Sequence, residues 1–247
     1  MEITYLDHSG FIARIDGAVL VFDYYRDPSH ALLHTLRKYP DLPVVFFVSH
    51  HHDDHYNPDI YEIGQQHRRV YVMSNDVLLQ NVPSTLEVAG MSKGDVIEGL
   101  PGDIKVKAYG STDEGISFLV TLPDGRNIFH AGDLNDWHWE GEVPARESQK
   151  EENAFKTIVN RIAEEVAEIY VAMFPVDTRM DIDFARGARI FLEKIKVDNF
   201  FPMHFSESTY KEACDTANYA PANGETHCYC LHKPGETVIL KEAHATV

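Results

Sequence analysis

The sequence predicts an α/β protein built as a layered sheet sandwich with helices outside, and three observations point there. Strand-length apolar runs crowd the first half of the chain, helix–strand units fill the second, and the connections between them are short. With 247 residues the chain is long enough to bury a two-layer core. No linker, repeat or low-complexity tract divides it, so one domain over residues 1–247 is expected.

Residues 2 to 22 read as short strands with turns between them, the last being Ala18-Val19-Leu20-Val21-Phe22, which ends at Asp23. Residues 29 to 38 fit a short amphipathic helix. Pro43 to Val48 is wholly apolar and of strand length, so it is expected to be a central strand. Further strands are expected near 69–73, 85–88, 104–109, 115–121 and 127–130, the last two joined through Pro123-Asp124-Gly125. Phe155, Ile158, Val159, Ile162 and Val166 recur at helical spacing and predict a helix over 147–168. A strand over 169–174, a helix over 182–195 and a strand over 199–203 follow.

The formal net charge of −17 makes nucleic acid an unfavourable partner, since a chain this acidic repels phosphate backbones. No apolar stretch approaches the roughly 20 residues of a membrane span. The N-terminus lacks a basic region followed by an apolar run, so a cytoplasmic protein is expected. The cysteines, Cys214, Cys228 and Cys230, are odd in number and are expected to be reduced and buried. Cys228-x-Cys230 is a weak candidate for a metal or redox pair.

The chemistry concentrates in Ser49-His50-His51-His52-Asp53-Asp54-His55, directly after the buried strand. Imidazoles and carboxylates are good ligands for zinc, iron and manganese. If the loop leaves the strand extended, His50 and His52 point the same way, because side chains alternate with period two. Two imidazoles then share one ion, and Asp54 and His55, beyond the turn, serve a second. A histidine-rich surface loop is the plain alternative. Four histidines and two aspartates within six residues behind an apolar strand argue against it.

This segment resembles the HxHxDH signature of the metallo-β-lactamase superfamily. Asp23 at the end of an early strand, Ala131-Gly132-Asp133 after a strand, and Pro202-Met203-His204 after another resemble further motifs of that family in the same order. His8-Ser9-Gly10-Phe11 resembles a subgroup that includes ascorbate-6-phosphate lactonase and related phosphodiesterase-like enzymes. The match spans residues 3 to 205. The resemblance implies a four-layer αββα sandwich with a metal site at one edge. It places His50 and His52 on a first metal, Asp54, His55 and His204 on a second, and Asp133 between both. Asp23 would hold the metal loop by hydrogen bonds without binding metal.

One motif departs from the family. A third histidine on the first metal is usual there, and Ser111 stands in its place within Gly110-Ser111-Thr112-Asp113-Glu114-Gly115. Asp113 is the preferred replacement, with His138 of Trp137-His138-Trp139 as the other. Trp137 and Trp139 are expected to wall the substrate site, with His138 as ligand or proton donor, against the plain reading of a loop packed under two tryptophans. Arg179 is a candidate clamp for a substrate carboxylate or phosphate, against an ordinary loop salt bridge. His8 lines the site mouth or makes a local turn bond. His51 and Asp53 are expected to point away from the metals into the layer behind the loop. His130 reads as a satisfied core residue, and His30, His34, His67, His227, His232 and His244 as surface or packing residues.

The expected function is hydrolysis of a small-molecule ester, lactone or phosphoester by a metal-bound hydroxide. Asp54 would orient the water, on one or two Zn2+, or on Mn2+ or Fe. The alternative is a non-hydrolytic protein of the same fold, either an iron-dependent oxidoreductase or a metal-binding module. No GxSxG elbow, P-loop or GxGxxG is present.

Overall fold

Two seven-stranded mixed sheets face each other across a shared apolar core in the computed structural model, which describes residues 1–79, 82–221 and 224–241. The first sheet contains β1 (Glu2–Asp7), β2 (Gly10–Ile15), β3 (Ala18–Phe22), β4 (Val44–Val48), β5 (Arg69–Ser74) and β6 (Val88–Met91) side by side in sequence order. The second contains β7 (Val96–Leu100), β8 (Ile104–Gly110), β9 (Ile116–Thr121), β10 (Asn127–His130), β11 (Glu168–Pro175) and β12 (Lys196–Met203). In each sheet, antiparallel hairpins give way to parallel strands: β3 to β6 in one, β10 to β12 in the other. Phe47 of β4 meets Phe118 of β9 edge to face at 5.3 Å, and Phe11 of β2 meets Phe201 of β12 at 6.3 Å.

Helices cover the outer faces and complete the expected αββα layering. α1 (Ala31–Lys38) lays Leu32 and Leu36 on Val19, Val21, Val44 and Phe46. Its first turn is capped by the Asp27 carboxylate, which accepts from the Ala31 and Leu32 amides at 2.9 and 2.8 Å. α2 (Ala145–Glu165) buries Phe155, Val159 and Ile162, and α3 (Arg186–Lys194) packs Phe191 5.3 Å from Phe129. β4 is buried at every residue, which is why its sequence carries no polar alternation.

Several elements differ from expectation. The strand expected at 85–88 forms at Val88–Met91, and the helix expected from 182 starts only at Arg186. Asp181 and Asp183 hold φ of 56° and 50°, outside any helix. β7 escaped notice because it is an exposed edge strand with one buried residue. The first sheet's other edge is β14 (Thr237–Ile239), returning to pair with β1, and β13 (His227–Cys228) pairs with β12. Runs of two or three residues carry no periodicity to read. α4 (Tyr210–Ala213) is a single turn.

The expectation of three free thiols is corrected. Cys214 and Cys230 form a disulfide with a Cα–Cα distance of 5.4 Å, and only Cys228 is free. Residues 16 apart in sequence met because α4 and the segment after β13 pack on the same flank, which spacing alone does not show. Among the described residues no helix is long and apolar enough to cross a membrane. His244 lies outside the described residues.

Candidate metal centre

The site forms where parallel strands end, as sites in such sheets do. Asp23 follows β3, the 50–55 loop follows β4, Asp133 follows β10, Asp177 follows β11 and His204 follows β12. Asp23 is fully buried and organises the metal loop. Its Oδ1 accepts from the Ser49 amide at 2.8 Å, and its Oδ2 accepts from Ser49 Oγ at 2.6 Å and from His55 Nδ1 at 2.7 Å. Burial works to raise the Asp23 carboxyl, but the imidazoles of His130, His55 and His50 hold it below its usual value.

These bonds assign ring nitrogens. Ser49 Oγ gives its proton to the carboxylate, so it accepts from His50 Nδ1 at 2.9 Å. His55 donates from Nδ1 to Asp23, and His204 from Nδ1 to Asp177 Oδ2 at 3.0 Å. In all three rings Nε2 is left facing the centre, the arrangement in which a carboxylate or hydroxyl behind a histidine orients it toward a metal.

The facing atoms converge on Asp133. His55 Nε2 and His204 Nε2 lie 3.0 and 3.2 Å from Asp133 Oδ1, and His50 Nε2 lies 3.4 Å from Oδ2. None of these contacts has hydrogen-bond alignment, so the three Nε2 atoms and Asp133 Oδ1 are buried without a hydrogen-bond partner. Unpartnered buried polar groups are costly and call for an explanation. A cation between them supplies one. The electrostatics agree. Burial lowers His55 and His204, yet Asp133 and the carboxylates behind the rings raise them to about 10 and about 9. Burial and the neighbouring His55 push His50 down to about 4. Burial and Asp133 raise Asp113. The raised values of His55 and His204 mark a place where positive charge beside Asp133 is stabilised, and the donor set present fits a divalent metal.

Donor atoms of His50, His52 and Asp54 lie within 4.8 Å of one another, as do those of His50, His55 and Asp133, and of His52, Asp113 and Asp133. The structure thus brings Asp113 beside His52 and Asp133. Ser111 Oγ accepts from the Asp113 amide at 3.2 Å and shapes the turn. Gly115 lets this turn approach, with φ 73° and a hypothetical Cβ 2.0 Å from Ser49 O.

His138 is a correction. It is fully buried, with Nδ1 2.8 Å from Asp136 O and Nε2 3.0 Å from Ile182 O. Both nitrogens are engaged by carbonyls, so the ring braces the 136–139 loop against the segment before α3 and neither binds metal nor donates a proton to substrate. Arg186 ties the same loop down, donating to Asp136 Oδ2 at 2.7 Å. His51 lies at the surface and not behind the loop, its donor atom within 4.8 Å of those of His52 and Glu114. Its amide and Nδ1 meet Asp76 Oδ2 at 2.9 and 3.0 Å, with Glu114 at 3.3 Å, and Asp53 is exposed. His130 is a satisfied core residue, its Nε2 2.9 Å from Ser9 O and its ring stacked on Phe22.

A cavity of about 440 Å³ opens over the centre, lined by His52, Asp54, Asp133, Trp137, Trp139 and Arg179 among others. Trp137 donates from Nε1 to Asp133 O at 2.8 Å and stacks with Trp139 at 6.4 Å. Arg179 donates from Nε and Nη2 to Asp177 at 2.9 and 2.5 Å while its side chain stays 64% exposed. The Arg179 salt bridge and its place at the cavity are therefore both real. Sequence reading missed Asp177 as the group that orients His204. Its position at a strand end, like that of Asp23, was the available signal.

The layering and the donor cluster together define a metallo-β-lactamase-fold protein with a divalent-metal centre. The chain belongs to the family described as the beta-lactamase superfamily domain, whose signature matches residues 2–140. No functionally curated protein matches the sequence. Among solved structures, it is similar to Igni18, a metallo hydrolase of the archaeon Ignicoccus hospitalis. The TM-score is 0.66 at 19% identity, covering 96% of this chain and 97% of that one. It is also similar to CmlA, a diiron β-hydroxylase from Streptomyces venezuelae, with TM-score 0.60 at 14% identity, covering 97% of this chain and 54% of CmlA. A third is the metallo-β-lactamase fold protein YhfI of Bacillus subtilis, with TM-score 0.59 at 11% identity over 96% of this chain and 98% of that one. At these identities the likeness is one of fold.

Proposed function

We propose that the chain is a metal-dependent hydrolase of small esters, lactones or phosphoesters. The observation that carries this reading is the set of buried Nε2 and carboxylate atoms, without hydrogen-bond partners, at the floor of a cavity. His50, His52, Asp113 and Asp133 would hold one ion, and Asp54, His55, His204 and Asp133 the other. Bound ions of this kind lower the pKa of a shared water toward about 7 and stabilise the oxyanion that its attack creates. Asp54, 43% exposed at the cavity wall, would orient that water. Trp137 and Trp139 give the substrate an apolar wall and keep bulk water from it. Arg179 presents its guanidinium edge to a carboxylate or phosphate, held in place by Asp177. Igni18, a metallo hydrolase by description, supports the reaction class.

A second reading is an iron-dependent oxidoreductase. It is favoured by a first position that draws on two carboxylates, Asp113 and Asp133, because oxygen-rich sets suit iron and manganese more than zinc. CmlA is described as a diiron enzyme.

Elemental analysis of the purified protein and a screen against lactones and phosphodiesters test both readings. About two ions per chain with hydrolysis abolished by chelator or by His52→Ala is expected. Hydrolysis that survives both would end the first reading. Iron with a redox-dependent colour and no hydrolysis would establish the second.

A further inference from the structure

His8 is a donor that the proposed metal ligands leave unused, and its surroundings repeat theirs. Its Nε2 is buried without a hydrogen-bond partner. It lies 3.3 Å from Asp54 Oδ2 without hydrogen-bond alignment, just as His55 and His204 lie beside Asp133. Donor atoms of His8, Asp54, His55 and His204 fall within 4.8 Å of one another. The His8 ring sits 4.1 Å from that of His204 and 5.7 Å from that of His55.

The backbone is set to place it there. His8 has φ 52° and His204 has φ 64°, a left-handed conformation that a side chain rarely adopts without compensation. The two strained residues are joined, since the His204 amide donates to His8 O at 3.2 Å. The Asp7 carboxylate accepts from the His8 amide at 2.8 Å and closes the turn. Two histidines from opposite sheets are thus held by one backbone bond with their rings side by side. Adjacent imidazoles gain little from each other; a shared cation gives both nitrogens a partner.

We infer that His8 is a third imidazole ligand of the second metal position, beside Asp54, His55, His204 and Asp133. The inference rests on the two-ion reading above. It makes the positions unequal: the second is rich in nitrogen, and the first has two imidazoles with carboxylates. The second therefore fills first and holds zinc more tightly.

The test loads the metal-free protein with one equivalent of zinc. X-ray absorption then counts imidazoles around it, and chelator competition gives the affinity. The wild type is expected to show about three imidazoles. His8→Asn, which keeps a residue tolerant of positive φ, should show about two, with affinity down at least about 10-fold. Loss of an outer-shell contact alone lowers affinity by about 10–100-fold, so the imidazole count separates ligand from neighbour. His34→Asn, on the exposed face of α1, controls for histidine removal. An unchanged imidazole count in His8→Asn, whatever the affinity, overturns the inference and leaves the two-ion reading intact. A wild type that takes up no zinc, iron or manganese overturns both. If His8→Asn does not fold, His8→Gly, which also suits the backbone, is measured the same way.

Discussion

Asp23 Oδ2 and His55 Nδ1 are 2.7 Å apart in a position from which water is wholly excluded, and the same oxygen accepts from Ser49 Oγ. One carboxylate thus fixes the start of the histidine-rich loop and the tautomer of His55 at its end.

Asp23→Ala should damage both. It strands the Ser49 amide and His55 Nδ1 without acceptors, and each buried group left unpaired costs about 1–3 kcal/mol. Metal affinity should fall by about 10–100-fold, as loss of an outer-shell partner does. Thermal melts and chelator competition measure the two effects. A variant that loses stability but binds metal as tightly as wild type would show that Asp23 is only a packing residue.

Gly115→Ala should be poorly tolerated although residue 115 binds nothing. The added Cβ would lie 2.0 Å from Ser49 O, and φ is 73°. The left-handed conformation alone costs a side chain about 1–2 kcal/mol, and forcing Ser49 aside adds about 1–3 kcal/mol. Because Ser49 precedes His50, metal content should fall with stability. Denaturant titration and elemental analysis check this, and a wild-type melt would contradict the close approach.

His138→Ala is expected to lower stability without reshaping the pH profile of kcat/KM. Both ring nitrogens already face carbonyls, Asp136 O and Ile182 O; removing the ring leaves Ile182 O unpaired at about 1–3 kcal/mol, while Asp136 O keeps the residue 138 backbone amide at 2.8 Å. Loss of one limb of the pH profile, with the fold intact, would restore His138 as a proton donor.

Cys214→Ser should destabilise the region after β12. The disulfide joins residues 16 apart, and a closed loop of that order contributes about 3 kcal/mol. The variant and the reduced wild type should melt together, below the oxidised wild type. Free-thiol titration showing three reactive cysteines in the native oxidised protein would remove the bond.

Metal content itself should set stability. Binding to the folded state alone adds about 2.7 kcal/mol at a hundred times Kd, so chelator should lower Tm and added metal should restore it. A melt indifferent to both would argue against a metal centre.

The sequence by itself determined the fold class and drew attention to the histidines and aspartates that cluster at one edge of the sandwich. Buried strands such as β4 and amphipathic helices such as α2 announce themselves through period, because a local pattern decides which face meets water. His50, His52, Asp54 and His55 were legible because neighbours in sequence share one loop, and Asp133 and His204 because each follows a readable strand. Only the tertiary structure decided what each side chain faces. It turned His138 onto two carbonyls, set Asp177 behind His204, joined Cys214 to Cys230 and carried His8 across to the other sheet's histidine. The longest of those contacts, His8 with His204, spans 196 residues of chain, and no local pattern encodes a partner that arrives only when two sheets close on one core.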